Sequence, residues 1–127
     1  IASAAQYLAG TASKLVQSGV IYQAQTTTTF GSTTTFDFST FIDTQVTLTG
    51  NITTMTLTNV VVGKAGSIAF TQDGTGSRTA AFNTIFKFPG GVIPTLSTTA
   101  GAIDILYYHC RTTLYCPASL TKDVRNP

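Results

Sequence analysis

Three groups of residues have the types and spacing that chemistry requires. The first is "TQDGTGSRT", residues 71 to 79, where Asp73, Gly74 and Gly76 stand among hydroxyls and an arginine. Glycines so spaced cradle a phosphate when they follow a strand and open a helix, whose N-terminus presents free N–H groups to the anion. Here "GSIAF" before the stretch reads as strand and "TAAF" after it continues as strand, with no Gly-Lys-Ser/Thr. The alternating acids and terminal Glu of a calcium-binding loop are missing too. The stretch therefore predicts a hairpin turn: Asp73 bonds its own backbone, while Gly74 and Gly76 take left-handed angles.

The second group is the acids, Asp37, Asp43, Asp73, Asp104 and Asp123, with no glutamate. Glycoside hydrolysis needs two carboxylates at a defined separation. Asp37 and Asp43 would meet only across a bend that nothing in their spacing requires. The third group is His109 with Cys110 and Cys116. His109, Asp104 and a hydroxyl make a conceivable triad, but no G-x-S-x-G elbow is present to carry the nucleophile. The two cysteines either bridge facing strands of a tight hairpin or remain ordinary thiols, and both readings stay open. Two cysteines and an adjacent histidine lack the spacing of a structural zinc site. No catalysis, metal or cofactor is expected.

Composition narrows the class further. The chain has 127 residues, 43% of them hydrophobic and only 9% charged, with net charge +2. One domain with a real core fits that length, and the apolar content is too high for disorder. So few charges on a small domain imply a surface wetted by Thr and Ser hydroxyls and partly covered by partner subunits. Lys14, Lys64, Arg78, Lys87, Arg111, Lys122 and Arg125 are dispersed. No basic run neutralises a phosphate backbone and no aromatic platform stacks bases, so nucleic acid is not an expected partner. Nor is a membrane, since no apolar run approaches a spanning length. "IASAAQYLAG" lacks the pattern of a signal peptide.

The elements that must position these residues change character near residue 20. In residues 1–19, Ser3 and Gln6 fit a capping box, residues 4–9 a short helix ended by Gly10, and Thr11 caps a second turn. Tyr7, Leu8, Leu15 and Val16 fall roughly on one face, which either packs on the chain's own sheet or serves as an anchoring or oligomer contact, the second being the preferred reading. Residues 20–127 speak strand. "QVTLT", Gly50-Asn51 and "ITTMTLT" predict a hairpin with positive φ at the turn. Phe36 and Phe38 share a face, as do Ile68 and Phe70. "AIDILYYHC" sets Ile103, Ile105, Tyr107 and His109 on one side and Asp104, Leu106, Tyr108 and Cys110 on the other. Apolar groups on both sides predict a central strand covered on each face, and "TTLYC" with "ASLTKDV" closes the chain as a hairpin or meander. The expected fold is all-β, an antiparallel sandwich or small jelly-roll-like barrel behind a short N-terminal helical segment.

The succession "VTLTGNITTMTLTNV", "GSIAFTQDGTGSRT", "FKFPGGVIPTLSTTAGAIDILYY" and "LTKDV" resembles a recurrent β domain of small tailed-bacteriophage virion proteins, as does "AAQYLAGTASKLVQSGVIYQA" before it. The chain departs from that pattern at Asn51–Thr54, at Phe86 and Phe88, and over His109–Cys116. The resemblance implies a structural protein on the virion surface, made in the bacterial host cytoplasm. Capsid decoration protein, head fibre and tail-fibre component are the roles it covers. It implies a homotrimer whose partners are the major capsid protein or tail and portal components, and it supplies no catalytic residues. The alternative is a receptor-binding module for host surface polysaccharide, with Tyr107, Tyr108 and Tyr115 as stacking groups.

Overall fold

From Thr26 to Gln72 the chain winds between two sheets, placing each successive strand opposite the one before it. The computed structural model describes residues 25–125. The helical segment expected over 1–19, with Tyr7, Leu8, Leu15 and Val16, lies outside the described residues. Strands β1 (Thr26–Thr27), β3 (Asp43–Leu48) and β5 (Ala65–Gln72) fall in one sheet, and β2 (Thr33–Asp37) and β4 (Thr54–Thr58) in the other. Within this coil every pairing is parallel: Thr26 beside Thr44, Asp43 beside Ser67, Thr33 beside Thr54. Then β6 (Phe86–Lys87), β7 (Ile103–His109) and β8 (Cys116–Thr121) extend the first sheet to the order β1-β3-β5-β7-β8-β6. β7 runs antiparallel to both β5 and β8, and β6 lies parallel on β8.

The all-β class expected from the sequence is what the chain forms. Its pairing is mixed rather than antiparallel, and the reason lies in the corners. A two-residue hairpin needs positive φ at its centre, yet neither Gly50 nor Asn51 is among the described positive-φ residues. Thr49–Thr53 instead turns a wide corner into the opposite sheet. The Asn51 side chain accepts the Thr79 N–H at 3.0 Å, and Gly50 lies under Phe30, whose ring an added Cβ would meet at 3.0 Å. β3 and β4 therefore never pair. The "TAAF" segment makes only an isolated bridge, Ala80 beside Ile52.

Alternation decides what each strand buries. Phe36 and Phe38 point inward from the two-stranded side and meet Val46, Leu48, Ile68, Phe70, Leu106 and Tyr108 from the larger sheet in one core. Edge-on aromatic pairs knit the layers: Phe36 lies 6.2 Å from Phe70, and Phe70 5.7 Å from Phe82. Such pairs add about 0.5–1.5 kcal/mol beyond area burial. The threonine run near residue 26 has a structural use as well. Thr44 is fully buried in β3, and its hydroxyl bonds the hydroxyls of Thr26 at 2.9 Å and Thr28 at 2.7 Å. A hydroxyl ladder thus satisfies a polar group that burial would otherwise penalise.

Candidate functional site

The loop after β5 is built from Asp73 outward. Asp73 Oδ1 accepts the backbone N–H groups of Thr75 at 3.1 Å and Gly76 at 3.0 Å, and Arg78 completes the site with Nε at 3.2 Å to Oδ1 and Nη2 at 2.9 Å to Oδ2. The side-chain bond from Arg78, helped by those two N–H groups against desolvation, holds the Asp73 carboxyl down at about 2. A carboxylate of the chain itself takes up the N–H groups and the guanidinium that an anion would otherwise engage. Two details differ from the sequence expectation. The left-handed residues are Gly76 (φ 74) and Ser77 (φ 60), and Gly74 is not one of them. The loop is also no hairpin: Ser77 N–H donates to Thr98 O at 2.7 Å, docking it on the segment before β7. Gly76 is required there, because a Cβ would meet Thr98 O at 2.6 Å.

β7 separates the remaining chemistry-bearing groups. Asp104 faces the core at 2% exposure and accepts the backbone N–H groups of Ser97 at 2.6 Å and Asp123 at 2.7 Å. His109 stands on the opposite, exposed side of the same strand. Successive side chains of a strand point to opposite faces, so Asp104 and His109 cannot form a triad. Asp37 and Asp43 are each engaged locally. Asp37 Oδ1 accepts from Asn59 at 2.9 Å and Ser39 at 2.7 Å, and Asp43 accepts from the Ser67 hydroxyl at 2.8 Å. The Asn59 and Ser39 bonds pull the Asp37 carboxyl below its ordinary range. Among the described residues no group of three or more His, Cys, Asp or Glu comes together to hold a metal ion. No described helix is long and apolar enough to cross a membrane.

What the described residues expose is a broad sheet surface and a set of apolar loop positions. β7 is central, as expected, but only its even-numbered face is sealed. On the other face the register aligns Asp43, Ser67, Tyr107 and Ser119 in a row across β3, β5, β7 and β8. Ile105 sits in the next row between Ala69 and Thr121. Tyr107 is 49% exposed, flanked by serines rather than bulky neighbours, and a shallow hollow lies on each side of its ring. Its sequence neighbour Tyr108 is core: the hydroxyl donates to Ile42 O at 2.8 Å, and burial, with the charge of Asp43, pushes the phenol well above its ordinary value.

The rim gathers about the β7–β8 hairpin, where Cys110 and Cys116 are joined by a disulfide. Arg111 N–H and Thr112 N–H both donate to Tyr115 O, at 2.9 and 3.2 Å, so the tip between the cysteines is tightly turned. Val61, Val62, Val92, Ile93 and Leu114 project into solvent around it, the last at 71%. The corner at 61–63 is tied to the hairpin by Gly63 N–H on Cys110 O at 2.7 Å, and Phe86 of β6 pairs with Cys116. Ile93 returns to lie beside Phe86 and Lys87. Sequence reasoning missed these positions, because the three aliphatic pieces are remote along the chain and are linked to the disulfide hairpin only through the pairing of β6 with β8 and the Gly63 bond to Cys110.

No family model matches the chain, and no curated protein or solved structure matches it either.

Proposed function

We propose that the chain is a structural module of a tailed-bacteriophage particle, displayed on the particle surface as a homo-oligomer with three copies as the expected state. The observation that carries assembly is the aliphatic rim of Val61, Val62, Val92, Ile93 and Leu114 around the disulfide hairpin. Single exposed aliphatics are ordinary on any protein. Five on three loops, in a chain with 9% charged residues, suit burial against another copy or a shell protein. Each side chain so buried contributes on the order of 1.5–3 kcal/mol. The virion assignment is supported by the block resemblance from "VTLTGN" to "LTKDV". The major capsid protein or tail and portal components are the matching docking partners.

Particles made without this chain are expected to assemble and adsorb normally while losing a surface protrusion or shell stability. Intact heads with lost adsorption would replace this reading with the second one, a receptor-binding module for host polysaccharide. The half-exposed rings of Tyr107 and Tyr115 are the observation that favours that alternative.

A further inference from the structure

The outward face of the larger sheet carries a feature distinct from the rim. A tyrosine on a sheet is ordinarily wedged between bulky cross-strand neighbours, which add to its stability. Tyr107 is not: its direct partners are Ser67 on β5 and Ser119 on β8. The two small side chains leave a hollow of about 440 Å³ on the β5 side and about 360 Å³ on the β8 side. The first is lined by Asp43, Ala65, Gly66 and Ser67, the second by His109, Pro117 and Ser119. Gly66, in register with Tyr108 on the other face of β5, lets the strand press on Ile42, where an added Cβ would meet the carbonyl oxygen at 2.0 Å.

The chemistry of this arrangement is an apolar ring face between two strips of hydrogen-bonding groups. Asp43 uses one carboxylate oxygen on Ser67, and no described donor is bonded to the other. His109 and Ser119 supply ring nitrogens and a hydroxyl on the opposite side. We infer that this face binds a neutral saccharide. One pyranose lays its C–H face on the Tyr107 ring, and its hydroxyls reach Asp43 and Ser67 on one side and His109 and Ser119 on the other. Asp43 selects the class: its second carboxylate oxygen, bonded by no described donor, accepts from sugar hydroxyls and repels uronic or sialic acids. The inference rests on the receptor-binding reading above and assigns its site, while leaving the rim free for assembly.

Native-gel affinity electrophoresis of the full chain tests it, with dextran, mannan and galactan as neutral probes and polygalacturonate as the acidic one. At least one neutral polysaccharide is expected to retard the protein. Tyr107→Ala should weaken that binding about tenfold or more, the loss of roughly one aromatic contact. Tyr107→Phe should retain it, and Tyr115→Ala should leave it unchanged. Retardation by polygalacturonate alone, by no neutral probe, or equally in Tyr107→Ala would overturn the inference. Light scattering on the same variants separates the two proposals. If Tyr107→Ala changes the oligomeric mass instead of retardation, the face is a subunit contact and the saccharide site is wrong. If the chain binds saccharide yet is monomeric, the assembly reading fails and the site stands.

Discussion

The Gln72 side chain grips the backbone of Arg78 at both of its polar atoms. Gln72 Oε1 accepts the Arg78 N–H at 2.9 Å, while Nε2 donates to the Arg78 carbonyl at 2.8 Å and to Ser97 O at 2.8 Å. One buried amide thus pairs with a loop peptide as a neighbouring strand would, and ties it to the segment leading into β7. The fold alone therefore gives the polar groups of "TQDGTGSRT" a structural use.

Replacing Gln72 with Leu keeps the volume and removes all three bonds. Burying a backbone donor or acceptor unpaired costs about 1–3 kcal/mol. The variant is expected to lose about 2–4 kcal/mol of stability in urea denaturation, near the upper range for point substitutions. A loss under about 0.5 kcal/mol would mean that the clamp is not formed in solution.

Acid should loosen the same loop. The Asp73 carboxyl is depressed to about 2 by Arg78 and the Gly76 and Thr75 N–H groups. Its ionised form is therefore favoured by folding. The resulting stability is complete above the unfolded value near 3.8 and is lost as pH falls from there through about 2. Thermal melts of the natural chain and Asp73→Asn across pH 2 to 6 check this. The natural chain should be the more stable at pH 6, and the gap should close toward pH 2. A gap independent of pH would remove the carboxylate from the account.

The disulfide spans six positions, Cys110 to Cys116. Chain entropy assigns a loop of that size about 2 kcal/mol of stabilisation. The native protein is expected to show no titratable thiol until reductant is added, then two. Reduction should lower Tm by several degrees and release the tip carrying Leu114 and Tyr115. Two thiols in the untreated protein would contradict it.

Residue pattern revealed the strand character, the core and the place of β7, because alternation of Phe36 with Phe38, Ile68 with Phe70, and Leu106 with Tyr108 is local information. Pairing partners were not legible. Gly50-Asn51 carries hairpin chemistry, yet the side chains of Asn51 and Phe30 hold a corner there, and those contacts depend on residues far along the chain. Alternation puts Tyr107 and Tyr108 on opposite faces, but only register shows that Tyr108 is the one bonded to Ile42 in the core and Tyr107 the one standing between two serines. His109 and Asp104, a pair suggestive on paper, fall on opposite faces of one strand.

Assembly through the rim should be sensitive to charge. Leu114→Glu and Val92→Glu alter residues 71% exposed in the chain alone, so neither should affect folding. Either should dissociate the oligomer if its residue is buried between copies, because an unpaired carboxylate in an apolar contact is strongly unfavourable.

Light scattering on the purified chain at micromolar concentration, beside Leu114→Glu, tests the central claim most directly. The account predicts a mass near three times 13.3 kDa for the natural chain and a shift toward 13.3 kDa for the variant. A natural chain that elutes as a monodisperse species of 13.3 kDa would contradict it.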